Sequence, residues 1–180
     1  MTARVGLIIP SSNRLVEQEM ARFFPPGVTL HVARLRMTGP HHVPLDQLLP
    51  RIEEATRTLT DARCDVVAFH CTATSMEEGS AGEERVLAAV ARAGAPRATT
   101  TATAICRALD ALAARRIVLV TPYSAKTTAE EAEFLHAAGC ECCMRSAMRS
   151  PAATPTARRR RRSGATRRLP RRGARPTPTW

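Results

Sequence analysis

Short apolar runs alternate along the chain with longer segments of helical periodicity. Each run is closed by Pro, Ser, Asn, Thr or Gly, as expected of buried strands in a parallel sheet. We predict strands at 5–9, 28–35, 64–70, 96–101 and 117–121, and helices at 15–24, 45–59, 83–93, 102–113 and 127–138. The alternation predicts an α/β fold, a Rossmann-like parallel sheet with helices on both faces.

Ligands bind such sheets beyond the carboxyl ends of the strands. Three of the predicted strand ends, at 10–13, 70–75 and 121–124, carry small hydroxyl or amide side chains. None contains a glycine-rich phosphate-binding motif, so no binding site for the usual nucleotide cofactors is predicted. Three crowded cysteines at 140–143 lack the spacing and the second ligand pair of a zinc site, so no metal is expected.

Cys71 is the strongest catalytic candidate, because it follows an apolar strand and precedes Thr-Ala-Thr-Ser. Backbone N–H groups and hydroxyls there should lower the thiol pKa and yield a thiolate usable as nucleophile or base. The alternative is a buried structural cysteine. His70 should point to the opposite face of the strand, and we interpret it as structural.

Four further side chains are candidates to bind substrate by hydrogen-bonding a carboxylate or an enolate-like oxyanion. They are Ser12, Asn13, Thr72 and Tyr123. Each is equally suited to cap a helix or to complete a turn.

The charge of the chain divides near residue 141. The net charge is +11 over 180 residues, but residues 1–141 hold 15 basic and all 16 acidic residues, whereas residues 142–180 hold 12 arginines. The basic character therefore belongs to the tail and does not indicate a nucleic-acid-binding domain. No apolar stretch approaches the roughly 20 residues that span a bilayer, so we expect a cytoplasmic protein without membrane contact.

Five segments, taken in order, resemble the aspartate/glutamate racemase superfamily, and most closely its maleate cis-trans isomerase and arylmalonate decarboxylase branch. They are VGLIIPSSN at 5–13, RLRM at 34–37, DARCDV at 61–66, HCTATS at 70–75 and VTPY at 120–123. The resemblance covers roughly residues 4–141. It implies two similar Rossmann-like domains with an active site between them and no metal or organic cofactor.

The resemblance also implies roles for individual residues. Cys71 matches the cysteine that racemases and maleate isomerases use as nucleophile or proton-transfer base, where arylmalonate decarboxylases have glycine. Asn13 matches an asparagine that contacts a substrate carboxylate, Tyr123 a tyrosine that hydrogen-bonds a carboxylate or enediolate, and Thr72 a position in the oxyanion pocket. The implied function is a cofactor-independent isomerase acting on a small dicarboxylate through a cysteine thiolate. A decarboxylase or an amino-acid racemase-like enzyme is the alternative.

The predicted organisation is a first domain at 1–115, the start of a second at 116–141, and a disordered Arg/Pro-rich tail at 142–180. In one interpretation the tail comes from a shifted frame of a GC-rich gene, so that the second catalytic half is missing and activity is impaired. In the other, the chain is a non-catalytic module whose basic arm contacts nucleic acid nonspecifically. An unfinished domain interface would favour a homo-oligomer.

Overall fold

The computed structural model describes residues 3–37 and 42–147, with side chains up to residue 143. Strands and helices alternate through these ranges. The strands are β1 (Ala3–Pro10), β2 (Val28–Leu35), β3 (Val66–Phe69), β4 (Ala98–Thr100), β5 (Arg116–Thr121) and β6 (Glu141–Ala147). The helices are α1 (Val16–Phe23), α2 (Leu45–Asp61), α3 (Thr72–Met76), α4 (Gly79–Arg92), α5 (Thr101–Ala111) and α6 (Ala125–Ala137).

Two parallel sheets organise the chain. The first has the strand order β2-β1-β3-β4, with β1 paired to β2 on one side and to β3 on the other. The second consists of β5 and β6. The α/β fold predicted from the alternating pattern is confirmed.

Helices cover both faces of the first sheet because side chains alternate along its central strand. On one face Leu7 and Ile9 of β1 pack with Val16 of α1. On the other face Ile8 joins a larger cluster to which α2 and α4 contribute Leu48, Ile52, Val86 and others. The predicted placement of helices on both faces is therefore confirmed, and it leaves the carboxyl ends of the strands available for a site.

Two elements were missed in the sequence. Helix α3 begins directly after Cys71, where a polar loop was expected. Strand β6 continues to Ala147, so the predicted start of the tail at residue 142 is wrong. The short, cysteine-rich sequence of β6 does not predict a strand. Its pairing with β5 supplies the backbone hydrogen bonds that make it one.

The remainder of the predicted tail lies outside the described residues. The described part forms one compact unit, and the division at 115/116 stays a prediction, although β5 begins at Arg116. None of the helices within the described ranges is both long and apolar enough to cross a membrane.

Candidate active site

The junction between β3 and α3 positions Cys71. Val67 and Phe69 anchor β3 in the core, and the His70 N–H donates to the Ile8 carbonyl at 2.8 Å. Cys71 keeps an extended backbone, with φ −147° and ψ 100°, and its carbonyl accepts from the Ser75 N–H at 2.9 Å. Cys71 therefore lies at the end of a strand, as predicted, but the chain continues from it into α3 rather than into a loop.

The thiol of Cys71 is half-buried and donates to Thr74 Oγ1 at 3.3 Å. Burial raises the pKa of this thiol, and hydrogen bonds from the side chain and backbone of Thr74 oppose that rise. The charges of Glu77 and Glu131 raise the pKa further. The expectation of a lowered thiol pKa is wrong for this arrangement, because desolvation and two carboxylates outweigh the neutral donors.

Tyr123, in the loop after β5, lies near Cys71 and Thr72. Thr121 Oγ1 accepts from the Tyr123 N–H at 3.3 Å and bonds Thr128 Oγ1 at 2.6 Å, which ties the loop to α6. Burial, Glu131 and Cys71 raise the pKa of the Tyr123 hydroxyl, and a hydrogen bond with the Thr72 side chain partly offsets them. The structure therefore brings three predicted site residues, Cys71, Thr72 and Tyr123, together.

Ser12 and Asn13 line a cavity of about 620 Å³ whose lining includes His70 but not Cys71, Thr72 or Tyr123. Asn13 Oδ1 accepts from the N–H groups of Leu15 and Val16 at 3.0 and 3.1 Å, so it caps the start of α1. The Asn13 amide nitrogen is the donor it can offer a ligand. Ser12 is exposed at the cavity wall.

His70 lies between the cavity and the Cys71 thiol, since it lines the cavity and directly precedes Cys71 in the chain. Its Nδ1 lies 3.4 Å from Thr101 Oγ1, and burial lowers the pKa of its ring. A neutral, hydrogen-bonded histidine agrees with the structural interpretation. Arg34, to which no role was assigned, donates to the carbonyls of Ser11 and Asn13 at 3.3 and 2.7 Å and thereby holds the loop after β1.

Glu131 is the site residue that sequence reasoning missed. It is 3% exposed, and burial raises the pKa of its carboxyl to about 7. A signal was present, because Glu131 lies four residues from both Thr127 and Leu135 on the buried face of α6. Within the described ranges there is no group of three or more side chains able to hold a metal ion.

Comparison with known proteins places this arrangement in a family. A family model described as arylmalonate decarboxylase matches residues 5–150. The chain belongs to the arylmalonate decarboxylase family. The match continues beyond residue 141, where the resemblance was predicted to end, and it includes the whole of β6.

The relatives of this family member include both kinds of enzyme named in the predicted resemblance, maleate isomerases and an arylmalonate decarboxylase. It is 32% identical over 154 residues to a maleate isomerase of Geobacillus stearothermophilus, covering 77% of the chain and 60% of that protein. It is 27% identical over 136 residues to an arylmalonate decarboxylase of Bordetella bronchiseptica, covering 74% and 55%. The predicted branch is confirmed.

Solved structures agree with the sequence relatives of this family member. A Nocardia farcinica maleate cis-trans isomerase mutant with a covalently bound succinylcysteine intermediate superimposes with a TM-score of 0.74 and 29% identity. The superposition covers 82% of this chain and 64% of that one. The chain thus spans about 60% of the length of the curated relatives that it matches.

Proposed function

We propose that this chain is a cofactor-independent isomerase of the maleate cis-trans isomerase type, with Cys71 as the nucleophile toward a small dicarboxylate. The observation that carries the proposal is the proximity of the Cys71 thiol, which follows β3, to the Tyr123 hydroxyl in the loop after β5, which also hydrogen-bonds the Thr72 side chain. A structural neighbour that is a maleate cis-trans isomerase holds a succinylcysteine intermediate, which supports cysteine addition chemistry on this fold.

The reaction needs one bond to form and the same bond to break. The Cys71 thiolate adds to one alkene carbon, and the π electron pair moves to the other carbon and onto its carboxylate. Rotation about the remaining single bond is followed by expulsion of the thiolate, which restores the double bond in the trans geometry. Atoms, protons and electrons balance, because substrate and product are isomers.

Thr72 and Tyr123 act on the charge that this step creates. Neutral hydroxyl donors held in a partly dry pocket stabilise a developing oxyanion more than the ground-state carboxylate, which is the condition for catalysis. Asn13 and Ser12, across His70 in the neighbouring cavity, are the proposed contacts for the second carboxylate.

The raised pKa of the Cys71 thiol lowers the turnover rate that we expect at neutral pH. At neutral pH most of the population holds the protonated thiol, which does not add to the alkene. We therefore propose that turnover by the 180-residue chain is slow, with loss of the thiol proton as a major part of the barrier.

Proton NMR of maleate incubated with the purified chain tests the proposal. Fumarate should appear with the wild type and with Cys106→Ala, a half-buried cysteine of α5, and should not appear with Cys71→Ala. Acid quenching followed by mass spectrometry should find a maleate-derived adduct on Cys71. Fumarate formation that survives Cys71→Ala, or no turnover and no adduct in the wild type, would overturn it.

The family match favours arylmalonate decarboxylation as the second candidate activity. It is distinguished by release of carbon dioxide from an arylmalonate with no conversion of maleate. Amino-acid racemisation is tested in the same samples by chiral chromatography of aspartate.

Two partner predictions stay predictions: nonspecific nucleic-acid contact through the Arg-rich tail, and a homo-oligomer. The first is tested by comparing the full chain with residues 1–147 for binding to a mixed-sequence DNA duplex at rising salt. Tail-driven binding should vanish on truncation and weaken steeply with salt.

A further inference from the structure

The cavity of about 620 Å³ that Ser12 and Asn13 line has a polar end and an apolar side. The loop after β1 and His70 supply the polar groups. Helix α1 and the residue before it supply the apolar side, called here the α1 wall, which consists of Leu15, Val16, Met20 and Phe23. A mostly apolar cavity of this size with a few polar groups is typical of a small-molecule site.

The two ends of the α1 wall are open to solvent. Five large apolar side chains are exposed in the described part of the chain, and two of them are Leu15, at 68%, and Phe23, at 76%. From Val16 to Phe23 the helix rises roughly 10 Å. Maleate is too short to cover a wall of this length. An exposed apolar surface beside a cavity indicates a ligand with a longer apolar body.

The polar end of the cavity is held in place by β2 and the residues that follow it. Arg34 donates to the Ser11 and Asn13 carbonyls, and Ser11 Oγ donates to the Met37 carbonyl at 3.1 Å. Asn13 Oδ1 caps α1, which leaves the amide nitrogen as a donor. Because the loop is already ordered, binding to the Ser12 hydroxyl and the Asn13 amide carries little further ordering cost.

Arg14 gives the polar end a positive charge. Its side chain lines the cavity and is exposed, and it forms no ion pair or hydrogen bond within the described residues. Arg34, by contrast, is paired with Glu17. Glu19 also lines the cavity, but its Oε1 lies 3.5 Å from Nη1 of Arg22. The guanidinium and the neighbouring neutral donors therefore favour an anion at this end, and their geometry suits a carboxylate.

We propose that this cavity binds a carboxylate with an extended alkyl body. Arg14, Ser12 and the Asn13 amide bind the carboxylate, and the alkyl body lies along the α1 wall. The proposal goes beyond the proposed function, because it concerns binding in the cavity and requires no reaction at Cys71.

Saturation-transfer NMR titrations of the intact chain with octanoate and with butyrate test the proposal. The two acids share the carboxylate and differ by four methylene groups. Each methylene removed from water tightens binding roughly fourfold, so burial of half of the added chain should make octanoate bind at least about tenfold more tightly. Phe23→Ala should weaken octanoate binding about fivefold and leave butyrate binding unchanged. Arg14→Gln should weaken both acids about threefold, by an amount that shrinks at high salt.

Arg107→Gln and Leu112→Ala are the matched controls. Arg107 is an exposed arginine of α5 that does not line the cavity, and Leu112, just after α5, is as exposed as Phe23. Both controls should keep the wild-type affinities. So should Cys71→Ala, which separates this result from the proposed reaction.

Two kinds of result would overturn the proposal. One is equal affinity for octanoate and butyrate, or a control variant that loses as much affinity as the cavity variants. The other is self-association that Phe23→Ala abolishes, seen by sedimentation together with no binding of octanoate, since a second copy of the chain would then cover the α1 wall.

Discussion

The Cys71 thiol donates a hydrogen bond to the Thr74 hydroxyl at 3.3 Å, within the first turn of the helix that follows it. Once the sulfur has lost its proton, the Thr74 hydroxyl and backbone can donate to it and favour the thiolate, whereas burial of the sulfur disfavours it. Since burial is the larger influence, the thiol pKa lies above its ordinary value. The Cys71 thiol is therefore held in place, but its own helix does not lower its pKa below the ordinary value.

Replacing Thr74 by Val should raise the thiol pKa further. Val keeps the shape of the buried Thr74 side chain but removes the hydroxyl that stabilises the sulfur anion. A hydrogen bond to a charged group contributes roughly 1.5–3 kcal/mol, so we expect Cys71 to be alkylated on the order of tenfold more slowly at neutral pH. Ser75→Ala is the control, because the Ser75 hydroxyl donates to the Thr72 carbonyl. Equal rates in Thr74→Val and wild type would contradict the role of this hydrogen bond.

Glu131 should make the folded state less stable as pH rises. Its folded pKa of about 7 lies above the ordinary value of 4.5, so the folded state binds the proton more tightly than the unfolded chain. The contribution of Glu131 to stability is then largest below pH 4.5, falls between 4.5 and 7, and levels off above, with a loss on the order of 3 kcal/mol. Urea unfolding at several pH values should show that fall in wild type and Glu133→Gln. A fall of the same size in Glu131→Gln would assign it to other groups.

Tyr123→Phe should separate adduct formation from folding. The ring stays, but the hydroxyl that meets Thr72 is lost. Loss of one donor to a developing oxyanion costs roughly 10²–10³ in rate, so we expect the maleate adduct on Cys71 to form at least tenfold more slowly. Urea unfolding should change little. Thr72→Val serves as the partner variant, and a Tyr123→Phe chain that forms the adduct at the wild-type rate would remove Tyr123 from the mechanism.

The strands and helices of the first sheet were predictable because each has a strong local pattern. The apolar run at 5–9 and the helical face from Leu45 to Leu59 are both buried as their periodicity indicates. Helix α3 and strand β6 were not predictable in this way. α3 is a single short turn with no apolar stripe, and β6 depends on pairing with β5 rather than on its own composition.

The site was predictable in its residue types but not in its electrostatics. Cys71 and Thr72 follow β3 and Tyr123 follows β5, so the rule that ligands bind beyond strand ends selects these residues. Because β3 and β5 belong to different sheets, the rule does not predict that the residues lie together. The direction of the shift in the thiol pKa depends first on burial, with smaller effects of the charges of Glu77 and of Glu131, which lies sixty positions away on α6, a helix packed against α3. No local pattern around Cys71 contains that information.

Asn13 has one observed role, as a helix cap, and one proposed role, as a donor to the substrate, and two substitutions distinguish them. Its Oδ1 caps α1, and its amide nitrogen is the proposed donor to a substrate carboxylate. Asn13→Asp retains an oxygen that can cap the helix but replaces the donor by an anion that repels the substrate, so unfolding should be unchanged while the KM for maleate rises. Asn13→Ala loses both and should also cost about 1 kcal/mol in the free energy of unfolding. Urea titrations and initial rates measure the two effects, and an Asn13→Asp chain with wild-type KM would leave Asn13 as a helix cap alone.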